Sequence, residues 1–258
     1  EESRGKMVTG GQVIDGVLYA FNSDGALTTT YSSSGWQKVS GKWYYTDSNN
    51  KGVIGWKQIN GKWYYFDLAS GVMLNNCCAE INDRFYFFTS SGALASKAGW
   101  YGWSKNGKTC WYYVNSNGVC VTDTWRKIDG KWYFFDEWAE MIDEEYYLLN
   151  GKYYSFAANG AMRTAWFQLW GNWYYADPAT GVLSSGWRKI DGSWYYFDDY
   201  HEMQADCWMK DSKGWCYLGG NGKMVVNGWV KDKIGWCWMG ADGYWVKDKW
   251  ISYNGQWY

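Results

Sequence analysis

About every 20 to 21 residues this chain returns to the same aromatic pattern around a two-residue turn, and that period constrains its fold more than any other feature. The copies include GWQKVSGKWYY from Gly35, GWKQINGKWYY from Gly55, TWRKIDGKWYF from Thr124, AWFQLWGNWYY from Ala165 and GWRKIDGSWYY from Gly186. From Tyr146 the leading aromatic falls at Tyr146, Trp166, Trp187, Trp208, Trp229 and Trp250. A second follows seven residues later, at Tyr153, Trp173, Trp194, Trp215, Trp236 and Trp257. A polar loop then ends in Gly-x-Met or a variant, as at Met73, Met162 and Met224. Two copies are degenerate. The segment around 10–30 has no Trp, and that around 77–98 carries Cys78 in the leading place. About eleven repeats are expected in one module spanning residues 1–258. GKM at residues 5–7 reads as the tail of a preceding repeat and the closing NGQWY as part of another. A piece of a longer protein, joined to a further domain, is therefore expected.

Each copy reads as a β-hairpin. Asn60-Gly61, Asp129-Gly130 and Asp191-Gly192 suit a type I′ turn, which needs positive φ at both central residues. Pairing across Asn60-Gly61 sets Ile59 opposite Lys62, Gln58 opposite Trp63 and Trp56 opposite Tyr65. Strand alternation then puts Trp56, Trp63 and Tyr65 on one face, and Tyr64 and Phe66 on the other. A lone two-stranded hairpin is marginal in water. With aromatics on both faces, each hairpin must bury them against its neighbours, so the expected fold is an all-β solenoid of stacked hairpins with polar loops outside.

Composition narrows the function. Phe, Trp and Tyr make up 22% of the residues, Gly occurs 32 times and Pro once, as many tight turns require. The formal net charge is −1, so no cationic surplus exists to neutralise phosphates and nucleic acid is not an expected partner. No apolar run approaches the roughly 20 residues of a membrane span. Seven Cys occur with a single His, His201, and show no metal-ligand spacing, so neither a metal nor a cofactor is expected. Asp136, Glu137, Asp198 and Asp199 are turn residues by position, His201 reads as exposed in a polar loop, and no nucleophile motif appears. No catalytic residue is assigned. Lys57, Arg126 and Arg188 read as a solvated strand edge. The methionines, Met73, Met162, Met203 and Met224, read as fillers of the gaps between repeats.

The pattern GWxxxxGxWYYxxxxGxM resembles the choline-binding (cell-wall-binding type 1) repeat of Gram-positive surface proteins, phage lysins and autolysins, over almost the whole chain. The resemblance implies a secreted, wall-associated module in which choline or phosphocholine of teichoic acids sits between consecutive hairpins. Two aromatics come from one repeat and the first Tyr of WYY from the next. A quaternary ammonium donates no hydrogen bonds, so its recognition rests on cation–π attraction and methyl packing. Carried over, complete boxes are expected at Trp36/Trp43/Tyr64, Trp56/Trp63/Tyr86, Trp103/Trp111/Tyr133, Trp125/Trp132/Tyr154, Trp166/Trp173/Tyr195 and Trp229/Trp236/Tyr258. The third of these is assigned to a hairpin with one extra turn residue. Tyr146/Tyr153/Tyr174 forms a weaker, all-tyrosine box, and Cys78 with Phe85 leaves another largely broken. Trp187/Trp194 and Trp208/Trp215 meet Cys216 and Cys237 in place of Tyr. Those two joints either stay empty or take Tyr217 or Trp238 as the missing wall.

Similar repeats occur in glucan-binding domains and clostridial toxins, so a glycan-binding module, with the same aromatics stacked on sugars, stays open beside choline. So does a structural stalk without ligand, in which the aromatics only pack. Cys77, Cys78, Cys110, Cys120, Cys207, Cys216 and Cys237 depart from the family pattern, and buried free thiols are expected, with a bridge inside one hairpin as the alternative. Purified protein is expected to turn over no cell-wall material. Turnover abolished by one carboxylate substitution would refute that.

Overall fold

The computed structural model describes residues 7–258 except Asn106 and Ile234, and leaves out the side chain of Lys105. Gly5 and Lys6 of the opening GKM lie outside the described residues. Among these residues every regular element is a strand and no helix occurs, so none is long and apolar enough to cross a membrane. The chain divides into two compact units, Glu1–Ile142 and Asp143–Tyr258.

The first unit opens with an antiparallel sheet of Gly10–Ile14, Val17–Phe21 and Leu27–Tyr31. The third strand was not legible in the degenerate first repeat. Hairpins follow, named here by their leading residue. They are Trp36 (Gly35–Val39, Lys42–Thr46), Trp56 (Gly55–Ile59, Lys62–Phe66), Cys78 (Cys77–Glu80, Phe85–Phe88), Trp100 (Gly99–Lys105, Lys108–Val114) and Trp125 (Thr124–Ile128, Lys131–Phe135). The second unit holds the Tyr146 hairpin (Tyr147–Leu149, Lys152–Tyr154), Trp166 (Ala165–Leu169, Asn172–Ala176) and Trp187 (Gly186–Ile190, Ser193–Phe197). It continues with Trp208 (Cys207–Lys210, Trp215–Leu218), Trp229 (Gly228–Lys231, Trp236–Met239) and a short final pair, Ser252–Tyr253 with Gln256–Trp257.

Turn chemistry sets the register. Asn60 and Gly61 have φ of 48° and 77°, and Asp191 and Gly192 46° and 81°, the doubly positive pattern of a type I′ turn. Ile59 faces Lys62, Gln58 faces Trp63 and Trp56 faces Tyr65, as the sequence predicts. Trp170 takes the first turn position of its hairpin at φ 51°, a region that costs a bulky L-residue free energy and that Asn or Asp visits readily.

Packing runs from hairpin to hairpin within each unit. Tyr64 and Phe66 look back at the preceding hairpin, with ring centroids 5.0 and 6.0 Å from Trp36. Phe66 is fully buried and forms a core cluster with Ile59 and Met73. The loop after each hairpin adds a backbone link. Met73 N–H donates to the Trp43 carbonyl at 2.8 Å, and Met203 N–H to that of Trp173 at 2.8 Å. The thioether then lies against a glycine of the next loop, where a Cβ on Gly92 or Gly222 would collide with Met73 or Met203.

Two stability changes follow. Trp170→Asn is expected to raise unfolding stability by about 1 kcal/mol, since Asn pays less for a left-handed φ. Gly222→Ala, which combines φ +75° with the Met203 collision, is expected to lower it by about 1 to 3 kcal/mol. Denaturant unfolding of both variants against wild type checks the signs.

Candidate ligand-binding joints

The joint between the Trp36 and Trp56 hairpins shows how one strand pair positions a wall of rings. Strand alternation puts Trp36, Trp43 and Tyr45 on one face, and the next hairpin turns Tyr64 toward them. Trp43 stands nearly perpendicular to Trp36 (87°, centroids 6.3 Å apart), and Tyr64 meets Trp36 at 71° and 5.0 Å. Trp36, Trp43, Tyr64, Met73 and Ser91 line a cavity of about 350 Å³.

The arrangement repeats. Trp56 and Trp63 meet at 85° and 6.3 Å, with Tyr86 5.0 Å from Trp56. Trp166 and Trp173 meet at 83° and 6.3 Å, with Tyr195 4.8 Å from Trp166. The latter three, with Met203, Gly220 and Asn221, line a cavity of about 400 Å³. Tyr258 lies 5.2 Å from Trp229, and backbone bonds in both directions between Ile251 and Tyr258 hold the final hairpin that carries it. Trp125 and Trp132 lie on the last hairpin of the first unit and Tyr154 on the first hairpin of the second.

The second aromatics of the hairpins are more exposed than the core rings. The fully packed rings, such as Phe66 and Tyr174, are 0–1% exposed, whereas Trp43, Trp63, Trp111 and Trp173 keep 38–45%. Met73 and Met203 both fill the joint and line its cavity.

The joint expected at Trp103/Trp111/Tyr133 is assembled differently. Trp100 faces Tyr113 across its hairpin as Trp56 faces Tyr65, and Trp100 approaches Tyr133 to 4.9 Å. The sequence suggests one extra turn residue here, but both strands run seven residues against five in the Trp56 hairpin. The extension carries Trp103 to the other side, against the cluster of Phe87, Tyr112 and Cys120 and into the Cys78 joint.

The tyrosine joint also departs from expectation. Tyr146 and Tyr153 lie 4.7 Å apart, tilted by 32°, and the buried imidazole of His201 packs on them at 5.9 and 5.1 Å. His201 is thus buried rather than exposed. Asp198 Oδ1 accepts the N–H groups of Tyr200 and Glu202 at 2.9 Å each, and this turn tips the intervening residue inward. Tyr174 donates its hydroxyl to Glu202 Oε1 at 3.0 Å. Burial and the nearby Glu202 charge raise its pKa, so it stays a donor.

Cys216 and Cys237 occupy the Tyr positions, opposite Met209 and Val230, and both are buried. Tyr217 and Trp238 do not swing in. They keep their places 5.3 Å from Trp208 and 5.1 Å from Trp229. The replacements come from one loop. Trp245, in the methionine position, lies 5.9 Å from Trp208 and carries the Lys247 ammonium 4.0 Å from its centroid. Tyr244 packs on the Cys216 cluster that Trp187 joins, and its hydroxyl donates to Asp211 at 2.7 Å. The residue just before the methionine position reaches a joint two hairpins back, a rule visible in sequence only once the register is known. No disulfide links the seven cysteines; Cys120, Cys216 and Cys237 are buried and the other four half-buried, and the Sγ atoms of Cys78 and Cys120 lie 3.9 Å apart.

The choline-binding repeat model matches residues 53–98 and 184–229, and the putative cell wall binding repeat model matches 34–49, 102–120 and 123–138. The chain belongs to the choline-binding repeat family. No curated relative matches its sequence. Among solved structures, choline binding protein F of Streptococcus pneumoniae, determined in the presence of a peptidoglycan analogue, is 26% identical, with 97% of this chain and 99% of that one covered and a TM-score of 0.56. The choline-binding domain of CbpL from the same organism is 27% identical over 76% of this chain and 99% of that one, with a TM-score of 0.57. The modular autolysin LytC, also from S. pneumoniae, is 23% identical over 87% of this chain and 50% of that one, with a TM-score of 0.55, and shares the fold.

Within this choline-binding repeat chain the register makes a specific demand. Trp100→Ala is expected to weaken ligand at the Tyr133 joint about three- to thirty-fold, the loss of one cation–π wall, while Trp103→Ala leaves that joint unchanged. Choline titrations read at Tyr133 by crystallography or NMR compare the two variants.

Proposed function

We propose that this chain is a non-catalytic, secreted wall-binding module that holds a longer protein on a Gram-positive surface through the choline of teichoic acids. Both units act as one module in this reading. The lining of the Trp36 and Trp166 cavities carries it: three aromatic faces and a methionine, with only Ser91 or Asn221 as side-chain hydrogen-bonding groups beyond the rings. A sugar ring presents hydroxyls that need several such partners, whereas a trimethylammonium group needs faces and methyl contacts.

Ring walls worth about 0.5 to 2 kcal/mol each give a single joint an affinity near the millimolar range. A wall polymer with many cholines engages several joints together, and linkage multiplies the weak sites into a firm attachment. Anchoring in this reading comes from repetition, not from one strong pocket.

Millimolar choline is expected to raise the melting temperature and perturb tryptophan emission, because ligand bound only to the folded state stabilises it by mass action. Dextran at equal monomer concentration is expected to do neither. The reverse result replaces choline with glycan.

A further inference from the structure

The joint between the Cys78 and Trp100 hairpins lacks its leading Trp, yet it is not collapsed. Cys78, Phe85, Trp103, Tyr112, Trp138 and Glu140 line a cavity of about 350 Å³. Phe85 holds the second aromatic position, the extended strand brings in Trp103, and Trp138 comes from the loop after the Trp125 hairpin. That loop also delivers a carboxylate. Asp136 Oδ1 accepts the N–H groups of Trp138 and Glu140 at 3.0 and 2.8 Å, and Glu140 Oε1 accepts the Tyr112 hydroxyl at 3.1 Å. Burial, followed by the Glu140 charge, raises the Tyr112 pKa, so the phenol remains the donor.

The glutamate is not an isolated accident of this joint. Tyr174 and Glu202 repeat the same bond in the Tyr146 joint, another place where a smaller residue stands for the leading Trp. There His201 packs on the box rings, whereas the equivalent residue here is Ala139, whose φ of 65° matches the 64° of His201. Ala139 is fully buried in the cluster of Phe87, Tyr112 and Cys120, and puts no ring on the joint.

We propose that the Cys78 joint is a second class of site, one that takes a protonated amine bearing at least one N–H in preference to a quaternary ammonium. Aromatic faces attract either cation. A carboxylate discriminates, because it has several acceptor positions and Tyr112 supplies one donor. A partly desolvated carboxylate gains a charge-assisted bond from an N–H, whereas a trimethylammonium group offers it only methyls. The cavities at the Trp36 and Trp166 joints contain no carboxylate in their linings and make no such distinction. This inference stands whether or not those joints hold choline.

N,N-dimethylethanolamine and choline form a matched pair of probes, since the first, protonated near neutral pH, carries a proton where choline carries a methyl. Fluorine NMR of the full chain labelled with fluorotryptophan reads the joint directly once Trp103→Phe and Trp138→Phe identify the two resonances. The Trp103 and Trp138 signals are expected to respond to dimethylethanolamine at about tenfold lower concentration than to choline, the discrimination one charge-assisted hydrogen bond supplies. Glu140→Gln, nearly isosteric, is expected to bring the two probes to within about twofold, with the melting temperature recorded to show that the variant folds. Equal or tighter response to choline in the wild-type protein overturns the proposal, as does no response to either probe. Both results are read in the wild-type protein, the variants serving only to assign the signals. Signals of Trp36 and Trp43 in the same spectra report separately on choline at the complete boxes.

Discussion

One backbone hydrogen bond recurs at eight joints within the two units. The residue in the methionine position donates its N–H to the carbonyl of the second box aromatic of the preceding hairpin, at 2.7–2.9 Å from Met73 to Trp43, Leu94 to Trp63, Cys120 to Phe85 and Met141 to Trp111. Leu183, Met203, Met224 and Trp245 repeat it in the second unit at 2.8–2.9 Å. A main-chain bond does not read the side chain, so the position accepts Met, Leu, Cys or Trp without moving the hairpins. The spacing of the ring walls is thereby held constant while the walls themselves vary.

That separation of frame from lining explains how one fold carries unlike joints. The second face of each hairpin, represented by Tyr64 and Phe66, is packed and supplies the apolar burial a lone hairpin lacks. The first face is only half covered, and its exposed Trp rings stay available. Where a wall is missing, the loops compensate in different ways. Trp245 adds a ring beside Trp208, Tyr244 packs beside Cys216, His201 fills the tyrosine box, and Glu140 brings charge to the Cys78 joint.

Most of the hairpin architecture was legible because its causes are local. Asn-Gly and Asp-Gly turns demand positive φ, and the two-residue alternation then assigns faces, so the Trp56 register and the back-facing Tyr64 followed directly. Trp100 was missed because the assignment counted from the turn, while pairing in the longer hairpin is kept from its open end. His201 was misplaced for a related reason. A polar loop suggests exposure, but the Asp198 turn directs that one residue onto Tyr153.

By itself, the sequence determined the repeat, the hairpins, their faces and the aromatic character of the joints, because turn torsions and strand periodicity act over a few residues. Tertiary structure alone decided which loop completes which joint. Glu140 reaches Tyr112 across 28 residues and Tyr244 reaches Asp211 across 33. Such reach depends on the stacking of successive hairpins, a relation among separate turns of the chain that no local spacing encodes.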